Sequence, residues 1–166
     1  MVHEIYSFTL NQLDDLERNL LFDSFNSKIA WKFGEFARSK CIEKYENKSI
    51  VIDITLTGGH TLFHTVIGES TNIDNDNWIK RKSNTVFRFG KSSFYIGQKL
   101  RIKEKSIEEA MFVSSNEFAS HGGSIPIKIK NFTGVIGTFT ISGLAQEQDH
   151  LLAIEITEGF INKFQI

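Results

Sequence analysis

The residues best suited to chemistry are histidine, serine and acidic side chains set beside glycines, in two places. His121-Gly122-Gly123 precedes the apolar alternation Ile125, Ile127, Ile129, and the stretch Gly134 to His150 runs through Ser142-Gly143 into Gln146-Glu147-Gln148-Asp149-His150. If the two segments pair as antiparallel strands, His121-Gly122-Gly123 and Ser142-Gly143 meet at one end of a sheet. Backbone N–H groups exposed at such a corner can hold an anion. His121 and His150 are the titratable residues for that end. His150 falls in the first turn of a helix, where the positive helix end lowers an imidazole pKa and favours the neutral form. The plainer role for His150 is a hydrogen bond to a backbone carbonyl, and for Ser142, Glu147 and Asp149 it is helix capping. Arg81 and Lys82, with Arg88 and Lys91, form a basic cluster. Such a cluster serves as a solvated helix face, as a set of intersubunit ion pairs, or as an anchor for a carboxylate or phosphate.

Other catalytic patterns fail on spacing. His60 and His64 would share a metal on a helix, but here they fall on a strand, where four residues at ~3.3 Å each separate them by roughly 13 Å. Asp74-Asn75-Asp76-Asn77 begins like a calcium loop, yet Trp78 and Ile79 occupy the positions needing an oxygen ligand and a glycine, so the run reads as a helix start. There is no Gly-x-Ser-x-Gly elbow, phosphate loop or dinucleotide-binding glycine fingerprint. Cys41 is the sole cysteine. Its helical spacing from Phe33 and Ala37 marks it as a buried apolar residue, which suits a reducing compartment such as the cytoplasm.

The elements that position these residues follow from periodicity. Leu13, Leu16 and Leu20, then Phe22, Phe25, Ile29, Phe33 and Phe36, predict a helical region over Leu10 to Glu46 in two pieces. Gly34 lies inside it, where alanine should stabilise provided nothing packs against the glycine. Ile50, Ile52, Ile54 and Leu56 alternate, Gly58-Gly59 turns the chain, and Thr61 to Val66 returns, which makes a β-hairpin. Helix follows from Trp78 with a break at Gly90, then a short helical piece near Ile107 and a second hairpin. The terminal helix, Gln146 to Phe164, carries apolar residues on more than one side and so should meet either the first helices or a second subunit.

A chain of 166 residues suits one domain spanning 1–166. Fifteen phenylalanines against three tyrosines favour packed cores and interfaces. Nineteen basic against twenty acidic residues give a formal net charge of -1, which removes the general electrostatic drive toward nucleic acid. No run approaches the ~20 apolar residues that cross a bilayer.

The combination of Asp74-Asn-Asp-Asn-Trp-Ile-Lys-Arg-Lys82, Phe89-Gly-Lys-Ser-Ser93, His121-Gly-Gly-Ser-Ile-Pro-Ile127 and the Gly134 to His150 stretch resembles an uncharacterised family within the GlcG-like and HbpS-like haem-degrading-domain superfamily, over about Phe25 to Phe160. The resemblance implies an α/β fold of profilin-like layers, an antiparallel central sheet of two hairpins flanked by helices, assembled into homo-oligomers. It raises haem as a cofactor, although Leu10 to Glu46 contains no histidine to serve as an axial ligand on the first helices. Residues and resemblance together lead to an oligomeric small-molecule-binding protein. Its candidate ligand residues are Arg81, Lys82, His121, Gly122, Gly123, Ser142, Gly143, Asp149 and His150. The alternatives are an enzyme using His121 and His150 as acid and base, and a protein-interaction scaffold.

Overall fold

The computed structural model describes residues 1–166. Five of its six α-helices begin where capping side chains stand. Thr9 caps α1 (Leu10–Glu17), Asn26 caps α2 (Ser27–Lys44) and Asn72 caps α3 (Ile73–Phe89), which ends at Gly90 in the left-handed region. Ser92 caps α4 (Ser93–Lys103), and Ser106 with Glu109 closes a capping box on α5 (Ile107–Met111). The helix expected from Trp78 thus begins earlier, at Ile73: Asn72 alone is the cap, and Asp74 to Asn77 lie within the first turns.

Five strands form one sheet in the order β1-β4-β5-β2-β3. The hairpins β2 (Ile50–Leu56) with β3 (Thr61–Ile67) and β4 (Ser124–Ile129) with β5 (Gly137–Ser142) join through an antiparallel β2–β5 pairing. The sequence does not anticipate β1 (Leu21–Phe22), which adds to β4 in parallel and makes the sheet mixed. It lies between the two predicted helical pieces. Leu20, Leu21 and Phe22 fit the three- and four-residue recurrence, so periodicity merged the strand with its neighbours. Pro126 is tolerated because β1 pairs only Lys128 and Ile129, leaving β4 unpaired on that side at the proline.

Strand alternation gives the sheet two unlike faces. Ile52, Ile54, Ile125, Ile127, Phe139 and Ile141 pack with Phe33, Ala37 and Cys41 of α2 and with Leu152, Ile156 and Phe160 of α6 (Gln146–Phe164). The other face carries Asp53, Ser124, Thr138, Thr140 and Ser142, all buried, and is covered largely by α3. It is held by hydrogen bonds, Ser83 to Thr140 at 3.0 Å and Ser124 to Thr140 at 2.8 Å. The breadth of the apolar side of α6 is met within the chain, since α2, α4 and the sheet all contact it and Ile154 is buried. Gly34 is not a vacant helix position. A Cβ there would come within 2.4 Å of the Phe63 ring, so the glycine lets β3 approach α2 and the expected gain from alanine is reversed.

Candidate functional site

The β4–β5 pairing does bring both glycine corners to one end of the sheet. Ile141 N donates to Gly123 O at 2.8 Å, and α6 starts immediately beyond. Gly123 has φ +126°, and a Cβ on it would meet Ile141 O at 2.2 Å and Lys82 Nζ at 2.9 Å. This corner packs directly against the lysine, which any larger residue would displace.

Lys82 reaches the corner from α3 along the polar face of the sheet. Ile79, Lys82, Ser83 and Val86 form the buried stripe of α3, so the ammonium turns inward rather than to solvent. Its Nζ lies 3.0 Å from Asp149 Oδ2 and donates to Ile141 O and Ser142 Oγ, each at 3.3 Å. Asp149 Oδ1 accepts from Leu144 N at 3.1 Å, and its Oδ2 accepts from Gly143 N at 3.4 Å. The carboxylate therefore binds N–H groups of the loop ahead of α6 and not those of the first helical turn, so it ties the loop down and does not cap the helix. Ser142 and Glu147 do not cap: Ser142 accepts from Lys82, and Glu147 accepts from the Tyr6 hydroxyl at 2.8 Å. Burial pushes the pair toward neutrality from both sides, lowering the Lys82 pKa against the attraction of Asp149 and raising Asp149 to about 6.

Around this pair lies a cleft of about 340 Å³ lined by Asn75, Trp78, His121, Gln146 and the Ser142–Leu144 loop. His121 is exposed and meets Trp78 edge-on at 4.8 Å. Partial desolvation, then the charges of Lys82, Arg81 and Arg101, hold its pKa below the ordinary value, so the ring is neutral at physiological pH.

Of the nine residues nominated from the sequence, Lys82, His121, Ser142, Gly143 and Asp149 line this cleft. Gly122 and Gly123 lie behind it and permit close packing. Arg81 stacks on Trp78 at 4.4 Å and donates Nε and Nη2 to Ser115 O at 3.0 and 2.7 Å, in a neighbouring groove that His121 also borders. His150 turns away: it is fully buried, stacked on Phe94 at 4.8 Å, with neither ring nitrogen hydrogen-bonded. Its pKa falls to about 3, and the cause is burial rather than the helix end; the expected backbone carbonyl partner is not there.

Two features escaped the sequence reading. His64 Nδ1 bonds Asp53 Oδ2 at 2.9 Å and its Nε2 approaches Asp76 Oδ1 at 3.0 Å, beside a cleft of about 380 Å³. Asp53, the lone acidic residue inside the run Ile50 to Ile54, was the available signal. Glu17 and His150 come together only through the fold. No group of three or more His, Cys, Asp or Glu stands close enough to hold a metal ion, and no helix is long and apolar enough to cross a membrane.

Two-faced α/β layering with a cleft at the start of the last helix defines the class, and the comparisons supply the family. The chain belongs to the family described as haem degrading protein HbpS-like, which matches residues 25–158. It is 40% identical over 154 residues to UPF0303 protein YBR137W of Saccharomyces cerevisiae, covering 93% of this chain and 85% of the relative. The UPF0303 protein of Psychromonas ingrahamii is 37% identical, over 95% and 96% of the two chains. The crystal structure of Ybr137w superposes with a TM-score of 0.91 at 39% identity, covering 95% of this chain and 92% of that one. A PduOC:heme complex shares the fold at a TM-score of 0.66 and 14% identity, over 84% and 96%.

Haem requires an apolar slot with an axial donor. The cleft beside His121 has only Trp78 and Leu144 as apolar walls, His64 stands between two carboxylates, and His150 is sealed against Phe94. The residues of one chain do not fit haem.

Proposed function

We propose that this protein is a homo-oligomeric binder of a small anionic molecule, working in the cytoplasm, with its ligand in the cleft bounded by Trp78, His121, Gly143 and Gln146. One observation carries the reading: five residues nominated for anion chemistry converge on one cleft whose floor is the buried Lys82–Asp149 pair. The pair closes the floor of the cleft, the neutral imidazole of His121 stands above it able to donate, and Trp78 supplies a flat apolar wall. Oligomerisation rests on the family resemblance, and exposed Trp31, Ile73, Phe112 and Phe132 give apolar surface to it. The reducing compartment is supported by a single buried thiol. His121 and His150 do not share a cleft, which disfavours the acid–base alternative.

The reading is tested by Trp78 fluorescence in a Trp31→Phe background, titrated with inorganic phosphate and with citrate. Saturable quenching that weakens with added salt and is lost in His121→Ala supports it. A signal insensitive to both anions, or unchanged by His121→Ala, overturns it.

A further inference from the structure

A second cleft, of about 320 Å³, lies where the end of α1 meets β1 and the start of β4. Arg18, Lys91 and Lys128 line it together with the carboxylates of Asp14 and Glu17. Lys91 pairs with Asp14 at 2.6 Å and Arg18 with Asp15 at 2.5 Å, while Lys128 enters none of the ion pairs of the chain. The wall is apolar, built from Leu20, Leu21, Ile125 and Pro126.

Glu17 is the unusual member. Its side chain is one-tenth exposed, and Oε1 accepts from Ser92 Oγ at 2.5 Å. Behind it stands His150, whose Nε2 is 3.6 Å from the same oxygen, and neither nitrogen of that buried ring has another partner. Burial pushes Glu17 up to about 7; Ser92 opposes the rise, Asp14 adds to it, and Lys128 and Lys91 oppose it. These groups, with His150 from α6, are the charged and titratable ones that face it. No other carboxylate of the cleft is so enclosed.

A carboxylic acid at the floor, cations at the rim and a hydrocarbon wall are together the complement of a small organic acid rather than of an inorganic ion. Protonated, Glu17 donates a hydrogen bond to an incoming carboxylate; ionised, it repels one. We propose that this cleft binds a small organic carboxylate, gripped by Lys128, Lys91, Arg18 and Glu17, with its carbon chain on the Leu20–Pro126 wall.

The test is an amide-resolved NMR titration with sodium butanoate, using inorganic phosphate for comparison, at pH 6 and pH 8. Butanoate should shift the Leu20, Ile125 and Lys128 resonances, with affinity falling about tenfold from pH 6 to pH 8, as expected for a required proton that titrates near 7. Glu17→Gln keeps a neutral donor and should make the affinity equal at the two values. Lys128→Ala, at a partly exposed position that leaves folding intact, should weaken butanoate several-fold at both. Phosphate binding without butanoate binding, equal wild-type affinity at pH 6 and pH 8, or an undiminished affinity in Lys128→Ala would each overturn the proposal. None of these results depends on the Trp78 cleft.

Discussion

Replacing Asp149 by asparagine removes the only countercharge bonded to the Lys82 ammonium, whose side chain is 4% exposed. At 3.0 Å and an effective dielectric near 20, the lost attraction is about 5 kcal/mol. Stranding one partner of a buried pair generally costs about 3–5 kcal/mol. The amine escapes part of this by losing its proton. Holding a lysine of ordinary pKa 10.5 neutral costs about 5 kcal/mol at pH 7 and about 1.4 less for each pH unit above that. Asp149→Asn should therefore destabilise by about 3–5 kcal/mol at pH 7, and the deficit should shrink markedly by pH 9.5. Lys82→Met in the same background should recover much of it. Urea unfolding followed by circular dichroism at the two pH values measures both. A deficit below about 1 kcal/mol at pH 7, or one that grows with pH, would refute the idea that an ammonium is buried at the base of the cleft.

Gly34→Ala should destabilise by about 1–3 kcal/mol, because the new methyl overlaps the Phe63 ring; thermal melts check it. For Glu17 the folded pKa is raised above the usual 4.5, so the native state holds a proton that the unfolded state releases between about pH 4.5 and 7. The stability contributed by protonated Glu17 is full below 4.5 and lost by about 7, so Glu17→Gln should stabilise by up to about 3 kcal/mol at pH 8 and be nearly neutral at pH 4, as urea midpoints will show. Cys41, fully buried with its thiol pushed up to about 12, should resist a thiol-disulfide reagent at pH 8 until the protein is denatured.

The fold was legible wherever the chain alternates or caps cleanly. Ile50 to Leu56, Gly58-Gly59 and the strand ending at Ser142 specify two hairpins, and Gly90 ends a helix whose start at Ile73 lies five residues before Trp78. β1 was not, because a two-residue strand has no period of its own and Leu20 to Phe22 fits the helical spacing around it. The site was half legible. The glycine corners mark where backbones meet, and antiparallel pairing then places His121 beside Ser142 and Gly143. Lys82 belongs by sequence to a basic cluster, although it lies three residues after Ile79 and four before Val86, on the inner stripe of α3. His150 follows Asp149 directly, yet one residue of helix turns its ring about 100° around α6, away from Lys82 and against Phe94 and Glu17. The pairing of Glu17 with His150 joins distant segments, and no local pattern announces it.

Native mass spectrometry of the protein purified from its own host tests the central claim most directly. The account predicts an assembly larger than one 18.9 kDa chain that carries a small acid, and a His121→Ala protein with the same subunit count and without that mass. An unliganded wild-type protein, or a ligand retained in full by His121→Ala, would contradict it.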